Sequence, residues 1–262
     1  MTSSIASRLA LGAVVAFALL FLIIPVLIII PMSFSDARFL SFPPKALSFR
    51  WYESFFASAA WMSAARVSFT VGLLATLLAT PIGVAAAYAI THSPLRIMRV
   101  LRLMLMLPLM IPIIIVAIGV FLIYAQTGLL SSIPGLVLAD TMLGIPFVVL
   151  AVTAGLQSFD HSQEMVARSL GMNRFRAFMS VTLPQIRPSV VSGAIFVFIS
   201  SIDETVVALF ISGGETQTLT KRMFTALRDE IDPTIAAIST LLTLTSFALI
   251  LAVGALQKRA PR

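Results

Sequence analysis

Few residues in this chain have the type and spacing to do chemistry. Two arrangements stand out: an adjacent acidic pair, Asp203 and Glu204, inside a long apolar run, and a Glu164 placed seven residues before Gly171 and nineteen and twenty before Leu183 and Pro184. A charge at the centre of a membrane helix costs roughly 2.5–3.5 kcal/mol on insertion scales, so such residues face a polar cavity or a partner. Adjacent residues on a helix diverge by about 100°, so one carboxylate can face a pathway while the other faces a neighbouring helix or subunit. Two uses are open: hydrogen bonding to Ser200, Ser201 or Thr205 within the protein, or an acidic lining that replaces water around a cation as it crosses.

Most other chemistry is missing. The chain has no cysteine, which removes thiol nucleophiles, disulfides and cysteine-ligated metals, and its two histidines, His92 and His161, fall in different loops. Both are expected to be solvated loop residues. The glycine pair Gly213-Gly214 is followed by Glu-Thr-Gln-Thr, so it is no phosphate-binding loop, and neither H-E-x-x-H nor G-x-S-x-G occurs. No catalytic residue, no metal site and no bound cofactor are expected here.

The elements that position these residues are set by composition. Of the 262 residues 59% are apolar and 11% charged, against about 25% charged in soluble domains. Uncharged stretches at 9–31, 67–90, 103–125, 136–156, 188–212 and 234–256 are each near the 20 residues that span a bilayer. Their apolar runs are continuous rather than alternating, which excludes barrel strands. The sequence predicts an all-α polytopic membrane protein of six transmembrane helices. The first run, preceded by Arg8, is longer than a signal-peptide core and is read as an uncleaved span. The chain as a whole, 1–262, is read as one transmembrane domain.

Orientation follows from the basic residues. If both termini are cytoplasmic, Arg8, Arg96, Arg99, Arg102, Arg168, Arg174, Arg176, Arg187, Lys258, Arg259 and Arg262 all lie inside, the majority of the 18 Lys and Arg residues. This asymmetry accounts for the net charge of +7, so nucleic acid is not an expected partner and the lipid bilayer is. Asp140 is placed near the outer end of its span. Trp51, Trp61, Tyr52, Phe55 and Phe56 are expected to sit at the headgroup level as interfacial anchors. Pro25, Pro81, Pro108, Pro112 and Pro146 tend to kink their spans. Glycines at i, i+4 spacing are absent, so helix packing is expected to rest on Ala, Ser and Thr.

The connection at 160–184 reads as two short amphipathic helices. Asp160 or Ser162 can cap the first, Glu164 lies in its first turn, and Gly171 fits its C′ position. The second would carry Phe175, Phe178 and Met179 on one face, with Pro184 stopping it before the next span. Taken alone, such a helix pair suits lipid headgroups or another protein equally. Its spacing, however, closely resembles the coupling motif of permease subunits in binding-protein-dependent ABC importers: Glu-Ala-Ala, a seven-residue step to Gly, then Ile-x-Leu-Pro. Met165, Val166 and Val181 depart from it and stay apolar. Ser33-Phe34-Ser35, Arg38-Phe39, Arg50-Trp51-Tyr52, Ser201 to Glu204, Phe210 to Gly213 and Asp232-Pro233 are similar to the spermidine/putrescine branch of that family.

The resemblance implies a type I ABC importer permease fold in a bacterial inner membrane. It implies that Glu164, Ala167, Gly171, Leu183 and Pro184 couple the chain to two cytoplasmic ATP-binding subunits, which carry ATP and Mg. It further implies a second permease subunit, by the family's habit a distinct chain, and an extracytoplasmic binding protein docking on outer loops that include 214–233. The substrate expected is a polyamine or similar small cationic amino compound, with Asp203 and Glu204 lining its pathway. The competing reading is an ion-coupled secondary transporter or channel in which Asp203 or Glu204 carries a proton, which has no use for the 164–171–184 spacing. An intramembrane enzyme would need paired catalytic residues that the sequence does not offer.

Overall fold

The computed structural model describes residues 5–229 and 232–258. Arg259 and Arg262, counted above among the inner basic residues, lie outside the described residues, as does Glu230. In chain order the helices are α1 (Ile5–Ser33), α2 (Arg50–Ala57), α3 (Ala59–His92), α4 (Arg96–Met110), α5 (Ile113–Thr127), α6 (Ile133–Ser158), α7 (His161–Ser169), α8 (Arg174–Ala177), α9 (Leu183–Asp203), α10 (Val206–Ile211), α11 (Leu219–Asp229) and α12 (Thr234–Lys258). Among the described residues five helices are long and apolar enough to cross a membrane, and the bent pair α4 and α5 raises this to six if it counts as one span.

The chain forms two compact units, residues 1–62 with 225–245, and residues 63–224 with 246–262. In the first, the side chains of α1 from Leu11 onward are almost all exposed, as lipid-facing residues must be. After α1 the chain turns on an aromatic cluster of Phe34, Phe49 and Tyr52, with the hydroxyls of Ser33 and Tyr52 2.7 Å apart. Arg50 pairs with Asp36 at 3.6 Å and lies over Trp51. Trp61 departs from the expected interfacial anchor: it falls in the first turn of α3 and is buried.

The second unit is built around α6, the most deeply buried helix, packed along α9. Isolated glycines let these backbones approach. A Cβ added to Gly144 of α6 would stand 2.6 Å from a Val197 methyl of α9, and one on Gly83 of α3 would stand 2.6 Å from Val148. Close packing therefore uses single glycines on facing helices, not only the Ala, Ser and Thr expected from the absence of i, i+4 pairs. Val148, Val152, Leu156, Ile186 and Val197 form the centre of the core at one end of α6. Leu136, Tyr124, Val207 and Ile211 fill the other end.

Two of the uncharged runs do not fold as single helices. The stretch 103–125 breaks at Ile111-Pro112, where α4 and α5 meet at 103°. Proline disfavours helical backbone in the residue before it, and Ile111 is extended with ψ near 137°. The stretch 188–212 breaks after Asp203, where Glu204 is extended and α10 starts again at Val206. Conversely, Pro184 stops nothing. A π-helical turn at Phe178–Thr182 joins α8 to α9, and Leu183 N–H reaches the Phe178 carbonyl one residue beyond helical register. The wide turn accommodates a proline in the first turn of α9, where its missing N–H and ring are tolerated.

Candidate functional site

The first helix of the 160–184 connection, α7, begins as the sequence predicts. Asp160 is its N-cap, with its Oδ1 accepting from Ser162 N–H at 3.0 Å and its Oδ2 from the Ser162 hydroxyl at 2.8 Å. These two bonds hold the Asp160 carboxyl below the usual carboxylate range. The helix ends in a turn that needs a glycine. Gly171 has φ of +94°, its N–H bonds the Arg168 carbonyl at 3.0 Å, and Met172 N–H bonds the Ala167 carbonyl at 3.2 Å. This pair of bonds is the Schellman closure of a helix C-terminus.

Glu164 points inward. It is 5% exposed and its two oxygens are bound by residues far away in the chain: the Tyr88 hydroxyl of α3 donates at 2.5 Å and the Thr182 hydroxyl of the π turn at 2.7 Å. Burial pushes its carboxyl up, but the Tyr88 and Thr182 bonds, with the nearby charges of His92 and Arg174, outweigh this and hold it below the usual value. Tyr88 is the hub of the group. Its hydroxyl also accepts from Arg174 Nε at 3.3 Å, its ring stacks on His92 and meets Phe178 edge-on, and the Arg174 guanidinium lies over it.

The two histidines are not isolated loop residues. His92 Nε2 lies 3.1 Å from His161 Nδ1, and His92 Nδ1 lies 3.0 Å from the Tyr88 carbonyl. Residues 88 and 92 stand one helical turn apart on α3, so Tyr88 and His92 together fasten the last turn of that helix to α7. Gln185 Nε2 adds a bond to Gln163 Oε1 at 2.5 Å. With Ala167 buried beside Glu164 and Leu183 packed against the core, the inner face of α7 is occupied.

The opposite face is open. Met165 and Val166 are about 60% exposed and Leu170 is 80% exposed, and these are the residues at which the sequence departs from the alanines of the motif or carries no motif residue. Phe175 is exposed and Phe178 packs inward, so these two do not share one face as the sequence predicts. Pro184 is exposed. The structure thus divides the motif residues: Glu164, Ala167 and Leu183 hold the loop from within, Gly171 closes the turn, and the outward apolar surface belongs to Met165, Val166 and Leu170.

The acidic pair is also divided. Glu204 turns its carboxylate onto backbone, accepting from Val207 N–H at 2.8 Å and Ala208 N–H at 2.9 Å, and so caps α10. Its own carbonyl accepts from Thr220 Oγ1 at 2.9 Å. Lys221 Nζ reaches the carbonyls of Leu209, at 3.2 Å, and Ser212, where a cation suits the end of a helix. Asp203, at the last turn of α9, is exposed. A third carboxylate, read from the sequence only as lying near the outer end of its span, joins them: Asp140 of α6 is buried, and its Oδ2 accepts from the Ser201 hydroxyl. Its position three residues from Leu143 and inside the apolar stretch 136–156 is the signal that could have found it.

Solved structures show this all-α arrangement to be the fold of type I ABC importer permeases. A bacterial transporter that imports the acidic polysaccharide alginate superposes with a TM-score of 0.70 over 100% of both chains at 16% identity. The MetNI methionine transporter superposes with 0.62 over 80% of this chain and 98% of that one, at 15% identity. Residues 79–261 match the family described as binding-protein-dependent transport system inner membrane component. The chain belongs to that family and is a multi-pass transport component. Among its relatives, the spermidine/putrescine transport system permease protein PotC of Haemophilus influenzae is 30% identical over 231 residues, 88% of this chain and 89% of that one. The putrescine transport system permease protein PotI of Escherichia coli is 28% identical, with 85% and 81% covered.

Proposed function

We propose that this chain is the membrane subunit of an ATP-driven importer for polyamines, coupled through the 160–184 loop to separate ATP-hydrolysing subunits. The observation that carries the coupling reading is the two-sided α7. Its inner face is tied to α3 and the π turn by Glu164, and its outer face leaves Met165, Val166 and Leu170 exposed among the described residues. An exposed apolar helix face of this kind suits a groove on another protein. Two copies of the ATPase, holding ATP and Mg, would serve two permease chains, this one and a distinct second one. Both termini then face the cytoplasm, as the basic residues favour. A binding protein would deliver substrate from the other side.

Polyamine as substrate rests on the names of the relatives and on the charge that Asp203 presents where α9 ends. Closure of the ATPases would move α7, and through Tyr88 and Thr182 the ends of α3 and α9, in the rigid-body manner of alternating access. The test is ATP hydrolysis by the reconstituted complex with binding protein, with spermidine or putrescine added or omitted. Stimulation by polyamine supports both parts. Hydrolysis indifferent to polyamine removes the substrate class, and failure to assemble with any ATPase removes the coupling role.

A further inference from the structure

We propose that the start of α4 is a binding site for the phosphate of an anionic phospholipid in the cytoplasmic leaflet. Arg96, Arg99 and Arg102 follow one another at three-residue steps, so their guanidinium groups climb about 9 Å along one side of the helix. With Ser93 they line a cavity of about 270 Å³ formed where the α3–α4 turn folds against α4. That is near the lower end of small-ligand pockets, roughly 300–1,000 Å³, a size for a headgroup rather than a whole lipid.

Three arginines at one cavity call for an anion. None of their guanidinium groups has an ion pair or hydrogen bond with another described residue, and no acidic residue lines the cavity. Each guanidinium offers a planar fork of donors matched to phosphate oxygens. The first turn of α4 adds to the same field, because Leu95 gives its free N–H groups no side-chain cap and the turn holds no acidic residue.

The neighbouring side chains decide between a lipid and free phosphate. Ile97, Leu103 and Met104 are each about 60% exposed on the same helix, and none of the residues of α4 is buried. A ligand with an anionic head and an apolar tail satisfies both sets of groups, whereas inorganic phosphate satisfies only the arginines. The arginines lie at the junction of two spans on the side that carries the basic excess, which is where basic pockets meet lipid headgroups.

The experiment measures binding of fluorescent phosphatidylglycerol and cardiolipin to the purified importer complex in phosphatidylcholine nanodiscs. The comparison is between the wild type, Arg96→Gln/Arg99→Gln/Arg102→Gln and the corresponding triple Lys variant. Arg168→Gln/Arg176→Gln/Arg187→Gln serves as a charge-matched control for lipid binding. Loss of three contacts is expected to weaken binding by roughly tenfold or more. The Lys variant falls between, since it keeps charge and loses the fork, and the control stays near wild type. Equal binding by the triple Gln variant overturns the site, and so does an equal loss in the control. Displacement of the lipid by inorganic phosphate as effectively as by unlabelled lipid overturns the lipid as occupant. Unchanged lipid binding together with loss of the ATPase subunit from the complex would assign these arginines to a protein contact instead. Should the triple variant fail to assemble, Arg99→Gln against Arg99→Lys decides by the same readout.

Discussion

Two carboxylates in the second unit, Glu164 and Glu204, both accept two hydrogen bonds, yet they are held in opposite ways. Glu164 binds side chains 76 and 18 residues away, whereas Glu204 binds backbone amides three and four residues ahead of it. A group fixed by distant segments transmits displacement between them, since moving α7 moves the ends of α3 and α9. A group fixed by its own backbone shapes the chain locally, here by ending one helix and starting the next. The distinction separates residues that link elements from residues that build one, and it is what substitutions should expose.

The largest effect is expected at Glu164. Glu164→Ala leaves the Tyr88 and Thr182 hydroxyls without their acceptor, and two hydrogen bonds to a charged group are together worth about 3 kcal/mol. The loop should then exchange its amide protons freely while the spans stay protected, and ATP hydrolysis should no longer respond to substrate. Protection of 160–184 equal to wild type in hydrogen-exchange mass spectrometry would falsify the tether. The same link gives a pH dependence of known sign. A carboxyl held below its ordinary value near 4.5 contributes stability that is complete above that value and is lost as pH falls through the lower folded value. Since the chain has no cysteine, a spin label on Leu170→Cys reports the loop alone. Below about pH 5 its mobility should rise as the pH falls further. In a Glu164→Gln background that acid transition should be absent, and its persistence there would assign it to another group.

Next comes the turn. Gly171 sits at φ of +94° with open space around it, so backbone conformation and not crowding limits what can replace it. A β-branched residue there is strained by about 2 kcal/mol. Gly171→Val is therefore expected to shift the direction in which Met172 and α8 leave α7, lowering uptake more than basal ATP hydrolysis. An equal fall in both rates would mean that the turn supports folding alone.

What the sequence makes legible follows the same local and distant division. Asp160, Gly171 and the apolar runs act through neighbours within one turn, so their roles are readable from spacing. Tyr88 and His92 are polar residues one turn apart at the end of an apolar helix, and their partners lie in α7, beyond any window of local pattern. His161 accordingly reads as a lone loop residue, and the fold leaves it exposed yet places it 3.1 Å from His92. The breaks at Ile111-Pro112 and at Asp203 to Thr205 are hidden differently. Hydropathy sums over a run and is blind to where the backbone turns inside it, and it does not show that Glu204 turns its carboxylate onto the Val207 and Ala208 amides. Family resemblance names Glu164 without saying that it faces inward.

The smallest structural effects are expected at the acidic break, where the comparison becomes sharpest. Glu204→Gln keeps one acceptor for the α10 amides and removes the charge, costing roughly 1 kcal/mol as a weakened helix cap. Its first consequence should be faster exchange at Val207 and Ala208. Asp203 has no such duty. Asp203→Asn at an exposed position should change stability by less than about 0.5 kcal/mol and leave assembly with the other subunits intact, yet it removes a negative charge beside the break. If Asp203 faces the cation's path, this variant lowers polyamine uptake by raising the apparent KM, and the loss grows at low ionic strength where electrostatic attraction is least screened. Uptake kinetics identical to wild type at both salt concentrations would take Asp203 out of the pathway, leaving Asp140, buried against Ser201, as the remaining acidic group of α6 and α9 to test.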